Sequence, residues 1–247
     1  MPRFAANLTL LFTERPVAGR AMAARDAGFE GVEVLFPYAL PDWPRALGKA
    51  GLPVVLINTP APDWGTGGRG VAAIPGQEAR FRAEFAQALE MAHHLQAARI
   101  HIMAGLAHGP KAHDTFLENL AWAAGQAGGQ PLTIEPINPH DIPGYFLNDF
   151  DQAAGILDSL NAPGLALQFD AYHAHRITGD VMGTWARHGA RAAHVQVAGQ
   201  PGRHEPDEGE IDTPAFFARL DAEGYDGWVS GEYTPKARTE DGLGWIA

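Results

Sequence analysis

Eight short apolar runs, at 4–8, 31–35, 53–57, 99–103, 131–135, 165–169, 191–195 and 227–231, constrain this chain more than any other feature. Segments of helical spacing separate them, at 17–27, 42–50, 77–96, 113–127, 148–160, 180–188 and 213–223. Runs of about five residues suit strands, and the intervening periodicity of apolar residues suits amphipathic helices. The punctuation agrees. Gly28, Gly51 and Gly189 stop helices, Asp42 and Asn148 cap them, and Thr213-Pro214 reads as a cap followed by a first-turn proline. Strands alternating with helices imply a parallel sheet with crossover connections. Spread over eight units, 247 residues allow about 31 per unit, the size of a closed barrel of this type. The expectation is α/β: a single (β/α)8 TIM barrel over residues 1–247. Ala27-Gly-Phe-Glu-Gly-Val-Glu33 and Glu223-Gly-Tyr-Asp-Gly-Trp-Val229 echo each other as helix stop, turn and strand entry. An open doubly wound sheet is the runner-up, but no G-x-G-x-x-G follows the first strand.

Charge and composition narrow the partners. Eighteen basic and 29 acidic side chains give a net charge of −11. That balance argues against a sequence-independent nucleic-acid binder and against an anionic membrane surface. No apolar run reaches the length of a membrane span, and the first twelve residues do not read as a signal peptide. The chain has no cysteine. Disulfides, thiolate metal sites and cysteine nucleophiles are therefore excluded, and a reducing cytoplasm is the expected location.

The chemistry sits at the strand ends. In Pro131-Leu-Thr-Ile-Glu-Pro-Ile-Asn138 a strand delivers Glu135, and Pro136 then ends ordinary pairing. The sixth strand ends at Asp170, the seventh at Gln196 and the eighth at Glu232. Consecutive strand ends of a parallel barrel are neighbours on one rim, where barrel enzymes place their catalytic groups. Three carboxylates and an amide oxygen would converge there, and the acids would repel one another. A hard divalent cation removes that cost, with Mg²⁺ or Mn²⁺ the natural choice and Zn²⁺ open if a His joins. Asn58 and His101 face the same rim, as does Glu33. The long Gly-rich loop 59–70 lies beside them.

Several motifs together resemble a known family. They are Val34-Leu-Phe-Pro-Tyr38, Leu56-Ile-Asn-Thr-Pro60 with Asp63-Trp64 and Arg69-Gly70, and Ile134-Glu-Pro-Ile-Asn138. Further on come Phe169-Asp-Ala-Tyr-His173, His194-Val-Gln196, Pro201-Gly-Arg-His-Glu-Pro206 with Gly209-Glu-Ile-Asp212, and Gly224-Tyr-Asp-Gly-Trp228 with Gly231-Glu-Tyr233. The chain resembles the hydroxypyruvate isomerase family, among the sugar isomerases, epimerases and endonuclease-four-like barrels. The resemblance implies that Glu135, Asp170, Gln196 and Glu232 bind the metal and that Glu135 and Glu232 transfer the proton. The chain departs from the family at Val197-Ala-Gly-Gln200, where an acidic residue is usual. It departs also at His175, where Gln is common, and at His101, where a small polar residue is expected.

Moving a proton between adjacent carbons through an enediolate needs a base, an acid and positive charge at two oxygens. A hydroxy-keto acid substrate adds a carboxylate. Arg69, Arg203 and Lys111 are candidate anchors for it. His173 is a candidate to orient a ligand or bond the substrate, and Glu205 to line the mouth. The leading expectation is interconversion of hydroxypyruvate and 2-hydroxy-3-oxopropanoate. A 2-oxo-tetronate isomerase, a ketose 3-epimerase and an inosose dehydratase remain open on the same scaffold. An abasic-site endonuclease is disfavoured by the charge and by Gln196, and a non-catalytic sugar-binding barrel by the two intact glutamates. A homo-oligomer is compatible with all of these.

Overall fold

The structure, a computed structural model, describes residues 2–38 and 43–246. Its strands are β1 (Arg3–Asn7), β2 (Gly31–Val34), β3 (Val54–Asn58), β4 (Ile100–His101), β5 (Leu132–Ile134), β6 (Leu165–Asp170), β7 (Ala192–Val197) and β8 (Trp228–Gly231). They pair in chain order as parallel neighbours, and β8 returns to pair with β1, so the barrel closes. The helices are α1 (Val17–Asp26), α2 (Trp43–Ala50), α3 (Glu78–Leu95), α4 (Pro110–Gln126), α5 (Phe150–Leu160), α6 (Ala171–Thr178), α7 (Val181–His188) and α8 (Thr213–Ala222). After β8 the described chain makes only short 3-10 turns, at Thr239–Gly242 and Gly244–Ile246.

Most sequence expectations stand, with corrections at the helix ends. Helix α5 is capped by Asp149, which accepts from the Gln152 amide at 2.7 Å, while Asn148 donates to the Tyr145 carbonyl. Asp212 caps α8 by accepting from the Ala215 amide, so Thr213 is already helical. Helix α4 starts three residues earlier than expected, because Pro110 suits a first helical turn. Asp42, the expected cap of α2, lies outside the described residues. Helix α6 was not expected at all. Asp170 ends β6 and at once caps α6 through the Tyr172 amide at 2.8 Å.

Outward strand side chains pack on the helices. Phe169 of β6 meets Phe150, Trp185 and Phe216 at ring-centroid distances of 5.2, 5.1 and 5.8 Å. Burying a side chain of this size contributes roughly 1.5–3 kcal/mol. The inward positions differ, because strand side chains alternate with a period of two. On four consecutive units the inward pair is polar: Thr133 and Glu135, Gln168 and Asp170, His194 and Gln196, Ser230 and Glu232. All eight are buried. An ordinary barrel of this type fills its interior with branched apolar layers. Here the half built by β5 to β8 carries two polar layers, one under the other. The Gly-rich loop is held over the barrel mouth at Gly70. There φ is +87° and a Cβ would lie 2.4 Å from the Met103 carbonyl oxygen, so only glycine fits.

Candidate active site

The upper polar layer brings together Glu135, Asp170, Gln196 and Glu232. Asp170 and Gln196 are register partners across β6 and β7. Glu135 and Glu232 each sit one residue beyond a strand end. Asp170 is fully buried, and Glu135 and Glu232 are 4% and 8% exposed. Burial pushes the Glu135 carboxyl well above the usual range, and the charges of Glu232 and Asp170 add to the push. Burial likewise raises Asp170 and lifts Glu232 to about 8, both against the pull of Arg203.

Arg203 stands between two of these acids. Its Nη2 donates to Asp170 Oδ2 and to Glu232 Oε2, each at 3.0 Å. Burial alone would lower the guanidinium, but Glu232 and Asp170 outweigh it and raise it. The residue reaches inward from a left-handed backbone position, φ +55°, after the turn at Gly202. Its Nε is buried without a hydrogen-bond partner. One cation does not satisfy the cluster: Glu135 Oε1 is also buried and unpartnered.

Glu135, Asp170 and His173 bring potential ligand atoms within 4.8 Å of one another, and the two carboxylates among them could hold a metal ion. The donor set suits a hard divalent cation, since it supplies carboxylate oxygens in a place where their charge is otherwise uncompensated. His173 plays a different part from its neighbours. Asn138 Oδ1 accepts from the amides of His140 and Asp141, which turns its Nδ2 toward His173 Nδ1 at 2.7 Å. His173 Nδ1 is then an acceptor, so a neutral ring carries its proton on Nε2. Burial, with help from Arg203, holds this imidazole well below its ordinary pKa and therefore neutral. Nε2 faces Asp170 Oδ2 at 3.6 Å and Glu135 Oε1 at 3.8 Å. In this tautomer His173 is a donor toward whatever lies between the acids.

The remaining expected residues divide. His101 and Asn58 are neighbours, His101 Nδ1 lying 3.3 Å from Asn58 Oδ1 and 3.6 Å from Glu135 Oε2. Burial, then the nearby His194, pushes His101 down to about 3. Glu205 is buried and spends Oε1 on the Lys236 amide at 3.0 Å, leaving Oε2 unpartnered. Arg69 is engaged within its own loop. It donates to the Gly68 and Trp64 carbonyls and stacks 4.0 Å over the Trp64 ring. Lys111 is exposed in the first turn of α4. Sequence reasoning gave no role to Gln168, His194, Thr133, Asn7 or Asn138, although His194 and Asn138 stand in the motifs that carry the resemblance. Their signal was the period of two: each of the first three sits two residues from a strand-end candidate, facing the same way.

With this geometry in hand, the likenesses to known proteins are informative. Residues 22–247 match the family model described as a xylose isomerase-like TIM barrel. A 2-oxo-tetronate isomerase of Cupriavidus necator is 46% identical over 100% of this chain and 98% of its own length. The chain belongs to the hydroxypyruvate isomerase family of xylose isomerase-like TIM barrels. A hydroxypyruvate isomerase of Escherichia coli is 37% identical over 100% of the chain and 98% of its own length. Among solved structures, one titled AP endonuclease, family 2, from Brucella melitensis superposes with a TM-score of 0.95 at 42% identity, covering 100% of this chain and 98% of that one. These curated relatives are named as isomerases, and this member of the family is an isomerase.

Proposed function

We propose that the enzyme interconverts hydroxypyruvate and 2-hydroxy-3-oxopropanoate with the help of a divalent cation, Mg²⁺ or Mn²⁺. The observation that carries this reading is the burial of three acids together, of which Asp170 and Glu232 meet Arg203 while Glu135 keeps its Oε1 unpartnered. The proposed ligands are Glu135, Asp170, Gln196 and Glu232, all oxygen donors once Gln196 presents its carbonyl. Zn²⁺ fits less well, because the nearest imidazole, His173, presents a proton rather than a lone pair. When bound, the cation supplies Lewis acidity at the two substrate oxygens where negative charge develops.

The chain's own groups do the rest. Glu135 and Glu232 stand on strands three apart in a ring of eight, so they approach a substrate from different sides. One removes the proton from the hydroxymethyl carbon of hydroxypyruvate, and the other delivers a proton to the adjacent carbon. His173 Nε2–H donates to a substrate oxygen. Arg203, with a free Nε and a guanidinium already inside the site, anchors the substrate carboxylate. Of the three cations expected from sequence it is the one the fold brings among the acids. His101 and Asn58 line the same wall, and Glu205 shapes the rim beside Arg203.

A 2-oxo-tetronate substrate is the second reading, favoured by the 46% identity to an isomerase so named. It shares the keto-acid head and is one carbon longer. Nucleic acid and membranes are not proposed as partners, given the net charge of −11. No described helix is long and apolar enough to cross a membrane. The cytoplasmic location rests on the absence of cysteine.

A substrate panel with Mn²⁺ tests this reading. It compares hydroxypyruvate, 2-oxo-tetronate, neutral ketoses, an inosose and abasic-site DNA. The keto acids are expected to turn over, and their kcat/KM values decide between the two. Turnover of a neutral ketose with neither keto acid reacting overturns the reading, as does cleavage of the DNA.

A further inference from the structure

We propose that Glu33 is a positioning residue that fixes which end of the Gln196 side chain faces the acid cluster. The inference rests on the reading of Gln196 as a metal ligand and adds the group that makes it one. An amide presents oxygen at one end and NH₂ at the other, and only the oxygen can ligate a cation. Something must therefore decide between two nearly isosteric orientations.

Glu33 is fully buried inside the barrel. Its Oε1 accepts from Gln196 Nε2 at 2.8 Å and from Asn7 Nδ2 at 2.8 Å. Its Oε2 lies 2.9 Å from His194 Nε2. Asn7 is itself pinned, because its Oδ1 accepts from the Thr9 amide at 3.0 Å. Donors from two strands, β1 and β7, thus hold the carboxylate in place. A carboxylate only accepts, so the end of Gln196 that meets Glu33 must be NH₂, and the oxygen must point away from it.

The far side of the amide agrees. Gln196 Oε1 accepts from Gln168 Nε2 at 2.7 Å, and the same NH₂ donates to Glu135 Oε2 at 3.0 Å. Gln168 is oriented in turn by Thr133, whose hydroxyl donates to Gln168 Oε1 at 3.1 Å. A carbonyl oxygen has two lone pairs, so accepting from Gln168 leaves Gln196 one for a cation. Glu33 and Glu135 are acceptors at the two ends of this chain of bonds, and every amide between them has one permitted orientation. Groups that orient a metal ligand from behind typically change metal affinity by about 10- to 100-fold when removed.

Calorimetric titration of Mn²⁺ into purified protein tests this. The variants are Glu33→Met, which removes the acceptor, and Glu33→Asp, which withdraws it by one methylene and keeps the polarity. Each is made with Gln196 and again with Gln196→Glu, where both ends of the side chain are oxygen and no orientation is needed. The expected result is a loss of about tenfold or more in Mn²⁺ affinity with Gln196, and no loss in the Gln196→Glu background. Equal losses in both backgrounds would mean general damage to the barrel and overturn the proposal. Unchanged affinity with Gln196 would overturn it too. If Glu33→Met does not fold, as judged by circular dichroism, the Glu33→Asp pair decides alone. Gln196→Ala separates the two layers of the reading. If it leaves Mn²⁺ affinity unchanged, Gln196 is not a ligand and the ligand set itself is wrong.

Discussion

Glu135→Gln and Glu232→Gln are each expected to lower kcat on the active keto acid by about 10²- to 10⁴-fold at saturating Mn²⁺. The amide keeps the shape of the side chain and one oxygen, but it cannot carry a proton between the two carbons. In Glu135→Gln the substitution removes a carboxyl whose charged form burial disfavours and whose Oε1 has no partner, so that variant should melt no lower than the parent when metal-free. That combination separates a catalytic loss from an unfolding one. Steady-state kinetics and thermal melts on the same preparations check it. Retention of a tenth or more of the activity in either variant contradicts the role given to that residue.

Metal dependence is the second large effect. Glu135, Asp170 and Glu232 are buried together, and Arg203 compensates only part of their charge. Chelation with EDTA should abolish turnover, and added Mn²⁺ should restore it. Binding to the folded state alone also stabilises it. At a hundred times its Kd the ion adds about 2.7 kcal/mol. For a chain of this length that is a rise in Tm of about 5–10 °C. Differential scanning calorimetry with and without Mn²⁺ measures the shift. No change in Tm and full activity in EDTA would mean that Arg203 is the only cation the acids need.

How much of this could be read in the sequence follows from what each feature depends on. Strand ends depend on local pattern. Asp170, Gln196, Glu135 and Glu232 follow apolar runs at intervals of one βα unit, and a closed parallel sheet makes such ends neighbours. The lower polar layer depends on local pattern as well, through alternation, yet Gln168 and His194 look like ordinary interruptions of a strand until the barrel axis is known. Helix α6 was hidden because Asp170 has two jobs: its Oδ1 caps the helix while Oδ2 meets Arg203. Arg203 is different in kind. It comes from the loop after β7, and its arrival between Asp170 and Glu232 depends on a left-handed turn whose path no periodicity encodes. Arg69 and Lys111 carry the same charge on loops and first turns, and only the fold distinguishes them: one stacks on Trp64 and the other is exposed.

The central claim is proton transfer between adjacent carbons of a keto acid by two carboxylates. Isomerisation of hydroxypyruvate in D₂O, followed by NMR, tests it most directly. Glu135 and Glu232 exchange their protons with solvent, so the account predicts deuterium at the carbon that becomes C2 of 2-hydroxy-3-oxopropanoate. It predicts also that either glutamine variant suppresses this incorporation together with turnover. Product formed at the full rate with only protium at that carbon, or undiminished incorporation in both variants, would contradict it.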